Sequence, residues 1–73
     1  MMTPEMITDH ANDLSTRYGV SIPSTFDPNA ILAELGNITF DLSTDWDFLH
    51  AYGDAMGELV ETALGITPSM YPL

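Results

Sequence analysis

The sequence between residues 43 and 65 is the longest stretch whose apolar and acidic residues all fit one secondary structure. At about 100° per residue, its apolar side chains fall on one side of a helix and its acidic side chains within roughly 60° on the other. The apolar side is formed by Leu49, Tyr52, Met56, Leu59, Val60 and Ala63. The acidic side, which we call the acidic ridge, is formed by Asp47, Asp54, Glu58 and Glu61. This pattern predicts a long amphipathic helix over about residues 44–64, with Ser43 or Thr44 as its N-cap.

A first helix is predicted from its start and stop signals. Thr3 is a hydroxyl N-cap, Pro4 stands at the first helical position, and Glu5 adds a carboxylate in the first turn. The helix should run over about residues 4–18 and stop at Gly19. Its acidic side chains recur every four residues and form a second, shorter row of charge, Glu5, Asp9 and Asp13.

The middle of the chain predicts a shorter helix between two extended pieces. Asp27 and Pro28 repeat the cap-and-proline start, and a short helix should follow over about residues 28–35 until a glycine ends it. Residues 20–22 and 38–42 alternate apolar and polar side chains. They are candidates for a two-stranded β ribbon, which needs helices packed on it to be stable.

These elements predict a single small domain over residues 1–73, mainly α, with three helices and the ribbon as an α+β variant. The core must be small at this length, and a chain without cysteine has no disulfide to support it. Residues 66–73 form an apolar tail that either folds over the core or remains a contact patch. Gly53 and Gly57 favour close packing of the long helix on the first helix or on a second copy, so a homodimer is an open alternative.

Charge restricts the partners more than any other property of the composition. Eleven acidic residues face one basic residue, Arg17, which gives a net charge of −10, yet 45% of the residues are hydrophobic and the chain should fold. Such a surface repels nucleic acids and anionic membranes and attracts basic proteins in a salt-dependent way. No cationic segment precedes an apolar run, and no apolar run has membrane-spanning length. We therefore expect a cytoplasmic protein that does not associate with membranes.

Motifs for catalysis and cofactor binding are missing from the sequence. There is no glycine-rich phosphate loop, no G-x-S-x-G turn and no cysteine nucleophile. We expect no enzymatic activity, no catalytic residue and no cofactor. His50 lies between Asp47 and Asp54 at helical spacing, and His10 also has acids nearby. No strong ligand motif accompanies either histidine, so no metal site is predicted.

The spacing of the acids suggests a nucleic-acid mimic. The acidic ridge spans about 21 Å at a rise of 1.5 Å per residue, or one carboxylate every 5 to 7 Å or so. One strand of duplex DNA carries about one charge per 3.4 Å, a density that two rows of acids side by side would approach. We therefore predict that the ridge makes the main contact with a basic nucleic-acid-binding protein or complex. Glu5, Asp9 and Asp13 would supply the second row.

In size, acidity and lack of a catalytic motif, the chain resembles the small phage-encoded inhibitors of host defence, including anti-CRISPR and anti-restriction proteins. The resemblance is one of class, and no motif carries it. It implies a location in the host cell cytoplasm. Two alternatives remain: a small adaptor or oligomeric assembly protein whose acidic face is only a solvated surface, and an antitoxin-like neutraliser of a basic protein.

Overall fold

The computed structural model describes residues 1–39 and 48–71. Within them the chain forms three α-helices and one turn of 3₁₀ helix: α1 (Pro4–Tyr18), α2 (Pro28–Asn37), α3 (Phe48–Leu64) and the turn Pro68–Met70. The prediction of a mainly helical fold with three helices is confirmed. Residues 44–47 of the predicted long helix lie outside the described residues.

Side chains cap the starts of α1 and α2. Thr3 Oγ1 accepts a hydrogen bond from the Met6 N–H at 3.2 Å. The Asp27 carboxylate accepts one from the Asn29 N–H at 3.0 Å. In both helices a proline follows the cap. These bonds satisfy N–H groups that have no partner within the first turn, which explains why the two helices begin where the sequence predicts.

Left-handed glycines end α1 and α3. Gly19 has a φ of 67° and Gly65 a φ of 75°. After α3, the Gly65 N–H donates to the Thr62 carbonyl at 3.1 Å, and the Ile66 N–H donates to the Glu61 carbonyl at 2.9 Å. This is the Schellman arrangement. It turns the chain back on itself, so Ile66 is only 5% exposed and the apolar tail begins in the core.

The end of α2 differs from the prediction that a glycine would stop it. The helix continues through Gly36 to Asn37. Gly36 is not among the glycines with positive φ. Ile38 leaves the helix in an extended conformation, and its N–H donates to the Leu35 carbonyl at 3.3 Å. An extended exit needs no left-handed residue, so Gly36 does not serve as the cap.

The core lies where the three helices meet, since each helix contacts the other two. Its buried side chains are Ile7, Ala11, Leu14, Ile31, Leu35, Val60, Leu64 and Ile66. Only two of them, Ile31 and Leu35, come from α2. The short second helix is therefore anchored by these two buried side chains, and Leu32 packs against the core as a partly buried residue.

The predicted β ribbon does not form within the described residues. Residues 20–22 adopt no strand, because Val20 is bonded to the end of α1 instead. Its N–H donates to the Ser15 carbonyl at 3.1 Å, and its carbonyl accepts a hydrogen bond from the Ser15 hydroxyl. Both backbone polar groups of Val20 are thus satisfied without a second strand. Residues 40–42 of the other predicted strand lie outside the described residues.

Candidate interaction surface between α1 and α3

A groove of about 400 Å³ lies on the surface between α1, α3 and the tail. We call it the acidic groove. It is lined by His10, Gly53, Asp54, Gly57, Glu58, Glu61 and Tyr71. The carboxylates of Asp54 and Glu58 are exposed, whereas Glu61 is half-buried. Spacings of four and three residues place these acids on one face of α3, which is why the helix brings them together.

Two glycines, Gly53 and Gly57, line the acidic groove. A Cβ built at Gly57 would lie 3.8 Å from Nε2 of His10, which is an ordinary van der Waals distance. A Cβ at Gly53 would meet no described atom outside its immediate surroundings within 4 Å. The described part of α1 therefore does not pack tightly on Gly53, and close packing on a second copy stays a prediction. The missing side chains leave the space that forms the groove.

Alanine at Gly53 or Gly57 should stabilise the protein. Glycine inside a helix is up to about 1 kcal/mol less favourable than alanine, and neither site offers a steric conflict. We expect urea denaturation to show a free energy of unfolding higher by about 0.5–1 kcal/mol for each variant. Gly36→Ala in α2 is the matched control with a similar gain. Gly65→Ala should destabilise, because a φ of 75° strains an alanine. Lower stability of the Gly53 or Gly57 variant would show that the fold itself requires glycine there.

Positive side chains are scarce around the acidic groove. Arg17 is the only lysine or arginine in the chain, and its guanidinium is 2.5 Å from the Asp13 carboxylate on α1. On α3, Nε2 of His50 lies 3.8 Å from the Asp54 carboxylate, with side chains 60% and 75% exposed. Such an exposed pair is weak, and it requires a protonated histidine. The acids of α3 therefore keep a strong negative field at the groove.

Tyr71 attaches the tail to both α1 and α3. Its hydroxyl donates a hydrogen bond to the Glu61 carboxylate, and its ring centre lies 6.3 Å from that of Tyr18. An ionised tyrosine cannot donate this bond. The hydrogen bond to Glu61, followed by desolvation and then by the negative charge nearby, therefore raises the pKa of Tyr71 above the ordinary value of 10.0. The tail thus forms one wall of the acidic groove at neutral pH.

Tyr71 should ionise at a higher pH in the folded protein than in the unfolded chain. Because the folded pKa is the higher one, the tail contact contributes stability below a pH of about 10 and loses it as the pH rises through the folded pKa. Titration of tyrosinate absorbance should show a late transition that disappears in Tyr71→Phe. Tyr52→Phe is the control that should retain it. A late transition that persists in Tyr71→Phe would contradict the assignment.

The predicted acids of α1 are not part of the groove. Glu5, Asp9 and Asp13 are exposed, and the groove as the described residues define it includes none of them. At 100° per residue they lie about 60° to 140° around α1 from His10, the α1 residue that does line the groove. They form an outer row of charge, which we call the acidic shoulder. The fourth residue of the acidic ridge, Asp47, lies outside the described residues.

A second groove of about 400 Å³ adjoins the first at Gly53. We call it the apolar groove. It is lined by Met1, Met2, Met6, Phe48, Leu49, Tyr52 and Gly53. Leu49, which the sequence places on the apolar side of α3, lines this groove with a side chain that is 72% exposed. The buried residues of α3, Val60 and Leu64, lie toward its other end. Residues of its first turn line this groove together with the methionines.

The described residues contain no arrangement typical of a metal site or a membrane span. Across 1–39 and 48–71, no three histidine, aspartate or glutamate side chains are placed to hold a metal ion. No helix in the same part of the chain has both the length and the apolar character needed to cross a bilayer. No protein-family model, curated protein or solved structure matches the chain.

Proposed function

We propose that the protein is a non-catalytic inhibitor that occupies the basic nucleic-acid-binding surface of a target protein. It would act as a nucleic-acid mimic of the phage-encoded anti-defence type, anti-CRISPR or anti-restriction, in the host cell cytoplasm. One observation carries the proposal: Asp54, Glu58 and Glu61 converge on the acidic groove in a chain whose single arginine is paired elsewhere. A partner rich in lysine and arginine would supply the missing positive charge.

The spacing of the α3 acids supports mimicry of a phosphate backbone. From Asp54 to Glu61 the helix rises about 10 Å, which gives roughly one carboxylate per 5 Å. A DNA strand carries about one phosphate per 3.4 Å. The acidic shoulder on α1 adds a second row of similar spacing on a neighbouring helix. Although the acidic shoulder is turned away from the acidic groove, the two rows together approach the charge density of a single DNA strand.

The sign of the charge selects the class of partner. A net charge of −10 repels nucleic acids and anionic lipids at long range. Ordinary soluble proteins mix positive and negative side chains on their surface, which limits such fields. In this chain the near absence of lysine and arginine leaves the field uncompensated. A basic protein surface is therefore the partner that the electrostatics favour.

The apolar groove favours a second candidate function, a small adaptor or assembly protein. Met6, Phe48 and Leu49 are 47%, 44% and 72% exposed, which is unusual for large apolar side chains that lie together. In that case the acids would only keep the protein in solution. Binding through the apolar groove alone should survive high salt.

A pull-down with the tagged protein from a bacterial lysate at about 0.1 M salt tests the proposal. Exposed charges act over about 10 Å at that ionic strength but are screened within about 3 Å at 1 M. Support requires a nucleic-acid-binding protein that elutes as salt rises and that added DNA or RNA displaces. Recovery of the protein alone, or of a partner that remains bound through the gradient, would favour the adaptor function instead.

A further inference from the structure

The acidic and apolar grooves meet at Gly53, which lines both. A Cβ at this position would find no described atom of a neighbouring element within 4 Å, so Gly53 places no side chain between the two grooves. From Leu49 to Glu61 the two grooves follow α3 for about 18 Å. A single elongated ligand can therefore contact both grooves at once.

The chemistry of the two grooves specifies this ligand. The apolar groove presents thioether, phenyl and aliphatic groups, which gain most from the burial of a large apolar side chain. Methionine side chains also adapt their shape to such an occupant. The acidic groove presents carboxylates, which attract cationic groups. A second copy of this chain does not satisfy both requirements, because it would bring another net charge of −10 toward the acidic groove.

We propose that the partner contacts this face with a basic segment that carries one large apolar anchor. The anchor fills the apolar groove, the backbone of the segment passes over Gly53, and lysine or arginine side chains lie against Asp54, Glu58 and Glu61. A span of about 18 Å corresponds to five or six residues in an extended segment or about twelve in a helix. The inference rests on the proposed function and narrows its partner to a protein segment of this composition.

Two synthetic peptides of about twelve residues test the inference with the full-length protein. One consists of lysine and alanine, and the other carries a single phenylalanine near one end in place of an alanine. Fluorescence anisotropy at about 0.1 M salt should show at least about tenfold tighter binding of the phenylalanine peptide, the effect expected when a phenyl group is buried. This ratio should persist at about 1 M salt while both affinities fall, because screening weakens only the charged contacts.

Matched variants locate the anchor. Leu49→Ala should reduce the ratio between the two peptides to about one. Ile38→Ala also removes an exposed aliphatic side chain, 39% exposed and outside both grooves, and should keep the ratio. Gly53→Ala should weaken binding of the phenylalanine peptide severalfold by adding a methyl group where the grooves meet. Gly36→Ala, in α2 and outside both grooves, should leave binding of that peptide unchanged. Circular dichroism checks that every variant is folded.

The outcomes separate this inference from the function on which it rests. Equal, salt-sensitive binding of the two peptides would overturn the apolar anchor and leave the acidic inhibitor standing. An advantage of phenylalanine that survives Leu49→Ala would overturn the placement of the anchor in the apolar groove. Failure of both peptides to bind at about 0.1 M salt would count against the proposed function and the inference together.

Discussion

Replacing Asp54 and Glu58 with lysine should abolish binding to the basic partner and leave the fold intact. Both side chains are exposed on α3, so neither contributes to the core. Each reversal turns an attraction into a repulsion, a change of about 2 kcal/mol at contact distance even with water-like screening. The two together amount to about 4 kcal/mol, or roughly a thousandfold loss of affinity. The loss can be measured by titration calorimetry with the partner recovered in the pull-down.

A matched pair of single variants separates the effect of the acidic groove from the effect of net charge. Glu58→Lys and Glu34→Lys change the net charge equally, from −10 to −8 since each adds two positive units. Glu34 is exposed on α2 and outside both grooves, so its reversal should change affinity only slightly. Asp9→Lys tests whether the acidic shoulder also contacts the basic partner. Equal losses in the Glu58 and Glu34 variants would mean that the partner responds to the overall field and not to the acidic groove.

The fold was largely predictable because its helix ends are encoded locally. Thr3 and Asp27 precede prolines, and each caps its helix through a side-chain hydrogen bond. Such signals act within three or four residues, so a sequence pattern is sufficient to find them. The β ribbon, which the described residues do not show, depends instead on contacts that are not local. Whether residues 20–22 form a strand depends on partners for Val20, and Ser15 supplies those partners from the end of α1.

The candidate site was predictable as a charged face but not as a groove. Helical spacing places Asp54, Glu58 and Glu61 on one side of α3, and the structure brings them together. The sequence does not give the rotation of α1 against α3. For that reason it could not show that His10 lines the groove while the acidic shoulder points outward. It missed the apolar groove as well, although Met1, Met2 and Met6 before and within α1 were the available signal.

Gly53 and Gly57 are unusual residues for the interior of a helix, and both lie at the proposed ligand contact on α3. Both lie inside α3, where alanine would be more stable, and neither has a positive φ. At Gly53 no neighbouring element described by the structure approaches closely enough to exclude a methyl group. Packing within the described residues therefore does not explain the glycine. The ligand that we propose accounts for it, because a backbone passing over this point needs the space that a side chain would fill.

Leu35→Ala should leave the protein largely unfolded at room temperature. Leu35 is 1% exposed and is one of only two buried side chains that hold α2 against the other helices. Deletion of a buried leucine side chain destabilises by about 2–5 kcal/mol. A core in a chain of this size rarely supplies more than about 3–5 kcal/mol in total. The helical signal in circular dichroism should fall strongly, and no cooperative urea transition should remain.

Ile38→Ala is the matched control for Leu35→Ala. It removes a side chain of the same size just beyond the end of α2, but that side chain is 39% exposed, so the urea midpoint should shift only slightly. A cooperative transition in Leu35→Ala that strengthens as protein concentration rises would point to stabilisation by a second copy. In that case the adaptor or assembly function would gain support, because the isolated three-helix core would no longer account for the stability of the chain.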